Sequence, residues 1–261
     1  MKNLFFLVFL WWYTRKQLSL QGFFNTKSTF MRKVLMLFLL AATLSANALN
    51  MVGDDKRKTD LVLSDGEEGD WTMHFGLGFN VPLGVDDGYK FAPFKSWDLQ
   101  WTAISYDWNP KGGSQTYSIG LGLNWSNFAL KDNGSMFVKG PGDVVGLGQF
   151  APTMDQRFSS VHRLAIDIPL LFTQEINRSF NVTVGPIVKF NAGCWLHNDY
   201  ELGDIDFETS TKNLEQRPVT VDIMAAVDAF GVGIFCKYSP MSVFKKDKGP
   251  KFSSLTFGIY F

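Results

Sequence analysis

From residue 71 onward, apolar and polar residues alternate with a period of two, the spacing typical of β-strands whose two faces meet different surroundings. Seven segments show this alternation cleanly: 71–80, 117–125, 163–172, 180–190, 219–228, 230–238 and 255–261. An eighth segment, Ser96–Trp108, changes parity part-way, and a β-bulge near Thr102–Ala103 would restore it. The pattern therefore predicts eight strands.

The connections between these segments are alternately long and short. The long ones are 81–95, 128–157, 194–215 and 240–251, and the short ones are 109–113, 173–178 and 229–231. Bacterial outer-membrane barrels have long outer loops and short periplasmic turns. The sequence therefore predicts an all-β fold, an eight-stranded antiparallel up-and-down transmembrane β-barrel over residues 71–261.

Aromatic residues on the apolar face favour lipid as its surroundings. They fall at the strand ends with aliphatic residues between them, as in the two aromatic girdles of a transmembrane barrel. The predicted members are Trp71, Tyr117, Phe172, Phe180, Phe230 and Phe261 at one edge and Phe79, Trp97, Trp125, Phe190 and Tyr238 at the other. A soluble, lipid-binding, lipocalin-like barrel has the same period with its apolar face inside, and it is the alternative.

The charged strand residues share the polar face, which predicts a polar network in the lumen. Its predicted members are His74, Arg163, Asp167, Lys189, Asp222 and Lys237. Buried charges must be paired, so the network is expected to hold the barrel shut. The alternative is a proton or ion path through these residues. A wide pore is disfavoured because an eight-stranded barrel is just wide enough for side chains to fill.

Residues 31–48 have the three parts of a secretory signal peptide. A basic start at 31–33 precedes an apolar run over 34–44, and Ala46 and Ala48 supply a small-residue cleavage site. The apolar run is about half the length that a membrane-spanning helix needs. We therefore expect an exported chain that is cleaved after Ala48.

The segments on either side of the signal peptide have different interpretations. Residues 1–30 contain a second short apolar stretch and are interpreted as an upstream artefact of the gene start, and the alternative is a longer, unusual export segment. Residues 49–70 are rich in Asp, Glu, Lys and Gly, which predicts a solvated periplasmic tail.

Charge and cysteine content narrow the function classes. Residues 1–48 hold six of the 25 Lys and Arg residues and no Asp or Glu, so the rest of the chain is acidic. An acidic chain gives no reason to expect nucleic acid as a partner. The two cysteines, Cys194 and Cys236, form neither a disulfide framework nor a zinc ligand set. No cofactor and no metal site are predicted.

Two short motifs resemble a known group of proteins. The opening Phe75-Gly76-Leu77-Gly78-Phe79 and the final Phe257-Gly258-Ile259-Tyr260-Phe261 resemble small outer-membrane β-barrels, and most closely the PorT-like barrels of Bacteroidetes. The resemblance implies assembly in the cell outer membrane, and it supplies no catalytic residue. The alternate apolar residues Phe257, Ile259 and Phe261 resemble the signal read by the barrel-assembly machinery.

These observations favour a monomeric, non-enzymatic barrel surrounded by outer-membrane lipid. Its long outer loops 128–157 and 194–215 are predicted to bind a surface partner, because function often resides on loops held by a rigid scaffold. The alternative is a lipid-modifying enzyme that uses His162 with Ser159 or Ser160 near the outer rim. No G-x-S-x-G motif supports that alternative.

Overall fold

A computed structural model of the chain describes residues 69–110, 113–131, 134–177, 180–229 and 232–260. The predicted upstream segment, the signal peptide with Ala46 and Ala48, nearly all of the polar tail, and Phe261 lie outside the described residues. No helix within the described residues is long and apolar enough to cross a membrane.

The described part of the chain is built almost entirely from β-strands. In chain order these are β1 (Gly69–Leu83), β2 (Trp97–Trp108), β3 (Gln115–Ala129), β4 (Ser135–Lys139), β5 (Val145–Gln149), β6 (Asp155–Asn177), β7 (Phe180–Leu202), β8 (Ile205–Thr211), β9 (Val219–Ala229), β10 (Val232–Ser239) and β11 (Ser253–Tyr260). Short 3-10 turns occur at Pro93–Lys95 and Pro141–Asp143.

Eight of the strands in the described residues close into a ring. Its order is β6-β3-β2-β1-β11-β10-β9-β7, and β7 pairs back with β6. All eight pairings are antiparallel, including the pairing of the first strand with the last, in which Gly78 lies opposite Gly258. The predicted eight-stranded up-and-down barrel is therefore confirmed. We call the end with the short connections the turn end and the opposite end the loop end.

The barrel carries its apolar face outward. Ile234 on β10 is 70% exposed, whereas Lys237 on the same strand is 0% exposed. Across the ring, outward positions such as Met73, Ile119 and Ile223 are exposed, and inward positions are buried. A soluble ligand-binding barrel has the opposite arrangement. The faces thus favour lipid as the surrounding medium.

The irregular second strand contains the predicted bulge. The register of β2 against β3 shifts between Thr102 and Ile104. Trp101 before the shift and Ile104 after it both face outward and are about half exposed, while Thr102 and Ser105 are buried. One extra residue therefore keeps the apolar side chains on the outside along the whole strand.

Residues 128–157 and 194–215 were wrongly predicted to be loops, because much of each segment forms β-strands. Strands β6 and β7 each have 23 residues, which is about 75 Å at ~3.3 Å per residue. They continue well past the ring of eight, where β8 pairs with β7 and β4 pairs with β5 in a separate hairpin. A transmembrane β-strand needs only about 9–11 residues.

The cause of this error is an inversion of the pattern along the strands. On the side of the inversion nearer the turn end, apolar residues face outward and polar residues face the lumen. On the side nearer the loop end, Phe128, Val161 and Leu196 face inward and are buried, while Ser160 and His197 lie on the outward side. The alternation continues, but the apolar and polar faces exchange, as expected where a strand passes from lipid into water.

Two glycines allow the first and last strands to approach closely. A Cβ built on Gly258 would overlap the backbone oxygen of Leu77. A Cβ on Gly78, directly opposite, would lie 2.7 Å from the oxygen of Phe257 and 3.1 Å from the ring of Phe235. The seam that closes the barrel therefore requires glycine at both positions.

We predict that Gly258→Ala will destabilise the folded barrel by about 1–3 kcal/mol, the usual cost of overpacking. Gly76→Ala is the matched control, because a Cβ there meets its nearest neighbour at 3.4 Å on the same lumenal side. The measurement is urea-induced unfolding of the refolded protein in detergent, followed by tryptophan fluorescence. Equal stability of the two variants would contradict the close approach.

Candidate functional site

The middle of the lumen holds two buried ion pairs. Lys189 Nζ lies 2.6 Å from Asp222 Oδ2, and Lys237 Nζ lies 2.6 Å from Asp98 Oδ1. Asn124 connects them, since its Oδ1 accepts a hydrogen bond from Lys189 at 3.0 Å and its Nδ2 donates one to Asp98 at 3.0 Å. The four charged side chains are at most 2% exposed. The Lys189–Asp222 pair joins the neighbouring strands β7 and β9, whereas the Lys237–Asp98 pair crosses the lumen from β10 to β2.

Arg163 and Asp167 flank these ion pairs on β6. Arg163 Nη2 donates to Ser126 Oγ at 3.3 Å, and Ser126 in turn donates to Asp98 Oδ2 at 2.8 Å. Asp167 is fully buried, and neither of its oxygens accepts a hydrogen bond from the described residues. Its register partner Lys189 is bound to Asp222 instead.

His74, the remaining predicted member of the lumenal network, lies in a separate group near the turn end. Its ring stacks on Tyr260 with centroids 5.2 Å apart, and its Nε2 is 3.1 Å from Thr72 Oγ1. Thr72 also donates to Asp107 Oδ2 at 2.8 Å. An apolar layer separates the two groups; its buried members are Leu171, Ile187, Met224, Ala226 and Phe235.

The prediction from sequence left out Asp98, the acid at the centre of the network. Asp98 alternates with Trp97 and Leu99, so its parity already placed it on the polar face. It lies on β2, where the bulge obscured the pattern. Asn124 and Ser126 were also missed, because uncharged polar residues are common on a lumenal face and nothing local marks those that bridge ion pairs.

The loop end of the barrel is closed by an apolar cluster, which we call the loop-end cap. Its buried members are Phe128, Leu130, Phe137, Val145, Val161, Cys194, Leu196, Leu214, Val243, Phe244 and Phe252. They come from the extended strands, the β4–β5 hairpin and the segments that precede β9 and β11. The Phe252 ring lies 5.0 Å from Phe91 and 5.1 Å from Phe128. The segments predicted as loops thus form a packed core of their own.

The proposed enzymatic residues lie on two different faces of β6. Ser159 points inward, where its Oγ accepts a hydrogen bond from the Phe137 amide at 2.8 Å and donates one to Asn198 at 2.5 Å. Ser160 and His162 lie on the outward side, with Oγ and Nε2 3.1 Å apart. Ser160 and His162 are 0% and 1% exposed, so neither presents an atom to a substrate in this conformation.

Aromatic rings enclose His162 at the loop end of the apolar band. Its ring stacks on Trp195 with centroids 5.4 Å apart and an interplanar angle of 8°. Trp97 and Trp125 lie 6.0 and 6.1 Å away. The His197 ring lies nearly perpendicular to the His162 ring, with the two centroids 5.5 Å apart. Tryptophans are typical of the lipid–water boundary, so this group marks the upper edge of the band.

His197 lies beyond that edge and contacts two carboxylates. Its Nε2 is 3.0 Å from Asp199 Oδ2 on β7, and its Nδ1 is 3.6 Å from Glu208 Oε1 on β8. Burial lowers the pKa of His197, but the hydrogen bond and charge of Asp199 and the charge of Glu208 raise it above its usual 6.5. When it is protonated, the ring joins β7 to β8 through these two contacts.

Among the described residues, His197, Asp199 and Glu208 also form a cluster of possible metal ligands. Their donor atoms lie within 4.8 Å of one another. The two ring nitrogens face different carboxylates, however, and a single ion can take only one of them. The arrangement fits an imidazolium between two acids better than a metal site.

The predicted assembly residues Phe257 and Ile259 lie on the outward face of β11 and are about half exposed. Their register partners on β1 are Phe79 and Leu77.

An apolar groove of about 520 Å³ opens on the outer face near the turn end, lined mainly by aromatic and aliphatic side chains such as Tyr117, Leu170 and Pro186.

Comparison with solved structures finds several to which this chain is similar, and two of them are named here. The first is Neisserial surface protein A, with a TM-score of 0.34 and 9% identity over 74% of this chain and 98% of that one. The second is Ail, the attachment invasion locus protein of Yersinia pestis, with a TM-score of 0.33 and 10% identity over 75% and 100%.

No family model matches the sequence, and no curated protein does. The PorT-like resemblance therefore stays a prediction. The eight-stranded ring of this chain is established by its own strand pairing.

We predict that Lys237→Met will destabilise the barrel by about 3–5 kcal/mol, because it leaves the Asp98 carboxylate buried without its cation. The double variant Asp98→Asn/Lys237→Met should recover most of that loss. Urea unfolding of the wild type, the two single variants and the double variant forms a double-mutant cycle. Additive losses would show that the two side chains do not interact.

We predict that β8 is held more firmly at low pH. Because the pKa of folded His197 is raised, its contribution is complete below the unfolded value of about 6.5 and is lost as pH rises through the folded value. Hydrogen exchange of β8 amides, corrected for intrinsic rates, should show falling protection over this range. The control His197→Gln should abolish the pH dependence; an unchanged profile in that variant would exclude the ring as its source.

Proposed function

We propose that this chain is an outer-membrane β-barrel protein of the PorT-like kind that presents a folded interaction surface outside the cell. The observation that carries the proposal is the combination of an apolar outer band with a polar lumen whose middle is occupied by buried ion pairs. In the membrane, the turn end faces the periplasm and the loop end faces the exterior. The chain is assembled by the barrel-assembly machinery.

The composition of the band supports a location in lipid. Within the described residues, the outward positions between the two aromatic edges carry no Asp, Glu, Lys or Arg. A Lys or Arg at the midplane would cost roughly 2–4 kcal/mol. The closed ring also satisfies the backbone hydrogen bonds that lipid cannot accept or donate.

The filled interior supports a role other than transport. Side chains of the two ion pairs occupy the middle of the lumen, and the loop-end cap covers its outer mouth. An ion would have to displace paired charges and then an apolar core. The lumenal charges therefore act as a structural network rather than an ion path.

The part of the chain that projects outward supports an interaction role. Strands β6 and β7 carry the β7–β8 hairpin beyond the apolar band, and the loop-end cap fixes its base. The buried positions of Ser160 and His162 weigh against the enzymatic alternative. We therefore favour a non-enzymatic, monomeric surface protein.

We expect the protein in the outer-membrane fraction, migrating faster on a gel when unboiled because the closed barrel resists detergent. After reconstitution into a planar bilayer, it should show no stable ion conductance. Recovery in the soluble periplasmic fraction would overturn the membrane location. Steady single-channel currents through the wild-type protein would overturn the closed lumen while leaving the location intact.

A further inference from the structure

One backbone edge of β8 is open. The strand pairs with β7 from Thr211 opposite Leu196 to Ile205 opposite Leu202. Its other edge pairs with no strand and no isolated bridge of the described residues. Alternate N–H and C=O groups of a strand point to each side, so this edge offers a row of unpaired donors and acceptors.

Several of the usual protections of such an edge are missing. Natural edge strands are blunted by charged side chains, above all Lys, by Pro, by a bulge or by shortness, and β8 contains no Lys, no Pro and no bulge. β8 has seven residues, Ile-Asp-Phe-Glu-Thr-Ser-Thr, and its register with β7 contains no shift. Six of its seven residues are exposed. The edge is therefore accessible to an added strand.

Charge selects what can pair with this edge. The hairpin carries five acidic residues between positions 199 and 208 and no Lys or Arg; they are Asp199, Glu201, Asp204, Asp206 and Glu208. A second copy of β8 would set Asp206 and Glu208 against the same acids, and like charges directly opposite destabilise a strand pair. A basic segment would be attracted.

The other face of the hairpin supplies apolar contacts. Phe207 stacks on Tyr200 with centroids 5.4 Å apart and remains 39% exposed, and Ile205 is 62% exposed. In strand addition, main-chain hydrogen bonds provide affinity and alternate side chains provide specificity. An added strand could place apolar side chains beside Phe207 and basic side chains beside Asp206.

We propose that the free edge of β8 binds an extended, Lys- or Arg-containing segment of a protein partner as an additional antiparallel or parallel strand. The proposal rests on the proposed function, because it requires β8 to lie outside the membrane.

The probe is a synthetic octapeptide of alternating Lys and Val, added to the full folded protein in detergent micelles. Fluorescence anisotropy measures binding, and hydrogen exchange locates it. We expect saturable binding with new protection of β8 amides and little change at β4 and β5. The same peptide methylated at alternate backbone nitrogens should bind at least about tenfold more weakly, since it loses several main-chain hydrogen bonds.

A matched pair of protein variants tests the role of charge. Asp204→Asn/Asp206→Asn should weaken binding of the Lys-Val peptide about threefold or more, because surface charge pairs contribute modestly. Asp87→Asn, which removes an exposed acid from the loop before β2, should leave it unchanged. A Glu-Val peptide should not bind the wild type.

Equal binding of the methylated peptide, or no protection of β8, would overturn strand addition. Equal binding of the Glu-Val peptide would overturn the choice of a basic partner. Each binding experiment uses protein that has already shown faster migration on a gel when unboiled. A negative binding result then counts against strand addition and not against the folded barrel. A protein without that faster migration would instead contradict the proposed function.

Discussion

The structure depends on one constraint: the barrel is apolar outside and polar inside, so its buried polar groups must find partners within a narrow lumen. A closed ring satisfies the backbone, since each strand pairs on both sides. The side chains have no such general solution. Lys189 and Lys237 can be buried only because Asp222 and Asp98 reach them from other strands, and Asn124 connects the two pairs. Breaking one pair would leave a buried charge without its partner, which strongly destabilises a fold.

The same constraint explains where the band ends. Around Trp125 and Trp195 the strands leave the apolar surroundings, and from there the apolar side chains face inward. Phe128, Val161 and Leu196 then pack as they would in a water-soluble protein. The loop-end cap is thus a second core of opposite polarity to the barrel below it, built on the same strands. It also orients the β7–β8 hairpin, whose base at Leu196 lies in the cap.

Much of the barrel was predictable from the sequence because strand parity is a local property. The alternation of side chains gave eight strands and their faces, and the parity change near Thr102 located a bulge that the register confirms. The extended strands were not predicted, because their apolar side chains change from the outward to the inward face where the surroundings change along the strand. The acid partners were only partly predicted: parity places Asp98 and Lys237 in the lumen, but they are 139 residues apart, and only the closed ring brings them together.

The acidic hairpin reconciles two demands on an exposed edge strand. An open edge that accepts a partner can also accept a copy of itself, and proteins usually avoid this by blocking the edge altogether. In β8, Asp206 and Glu208 discourage self-pairing through repulsion, while the backbone edge stays free. His197 acts on the other side of the same strand, where its contact with Glu208 ties β8 to β7. Attraction between His197 and Glu208 therefore holds the paired edge of β8 to β7. Repulsion between the acidic residues of two copies keeps the other edge free from self-pairing.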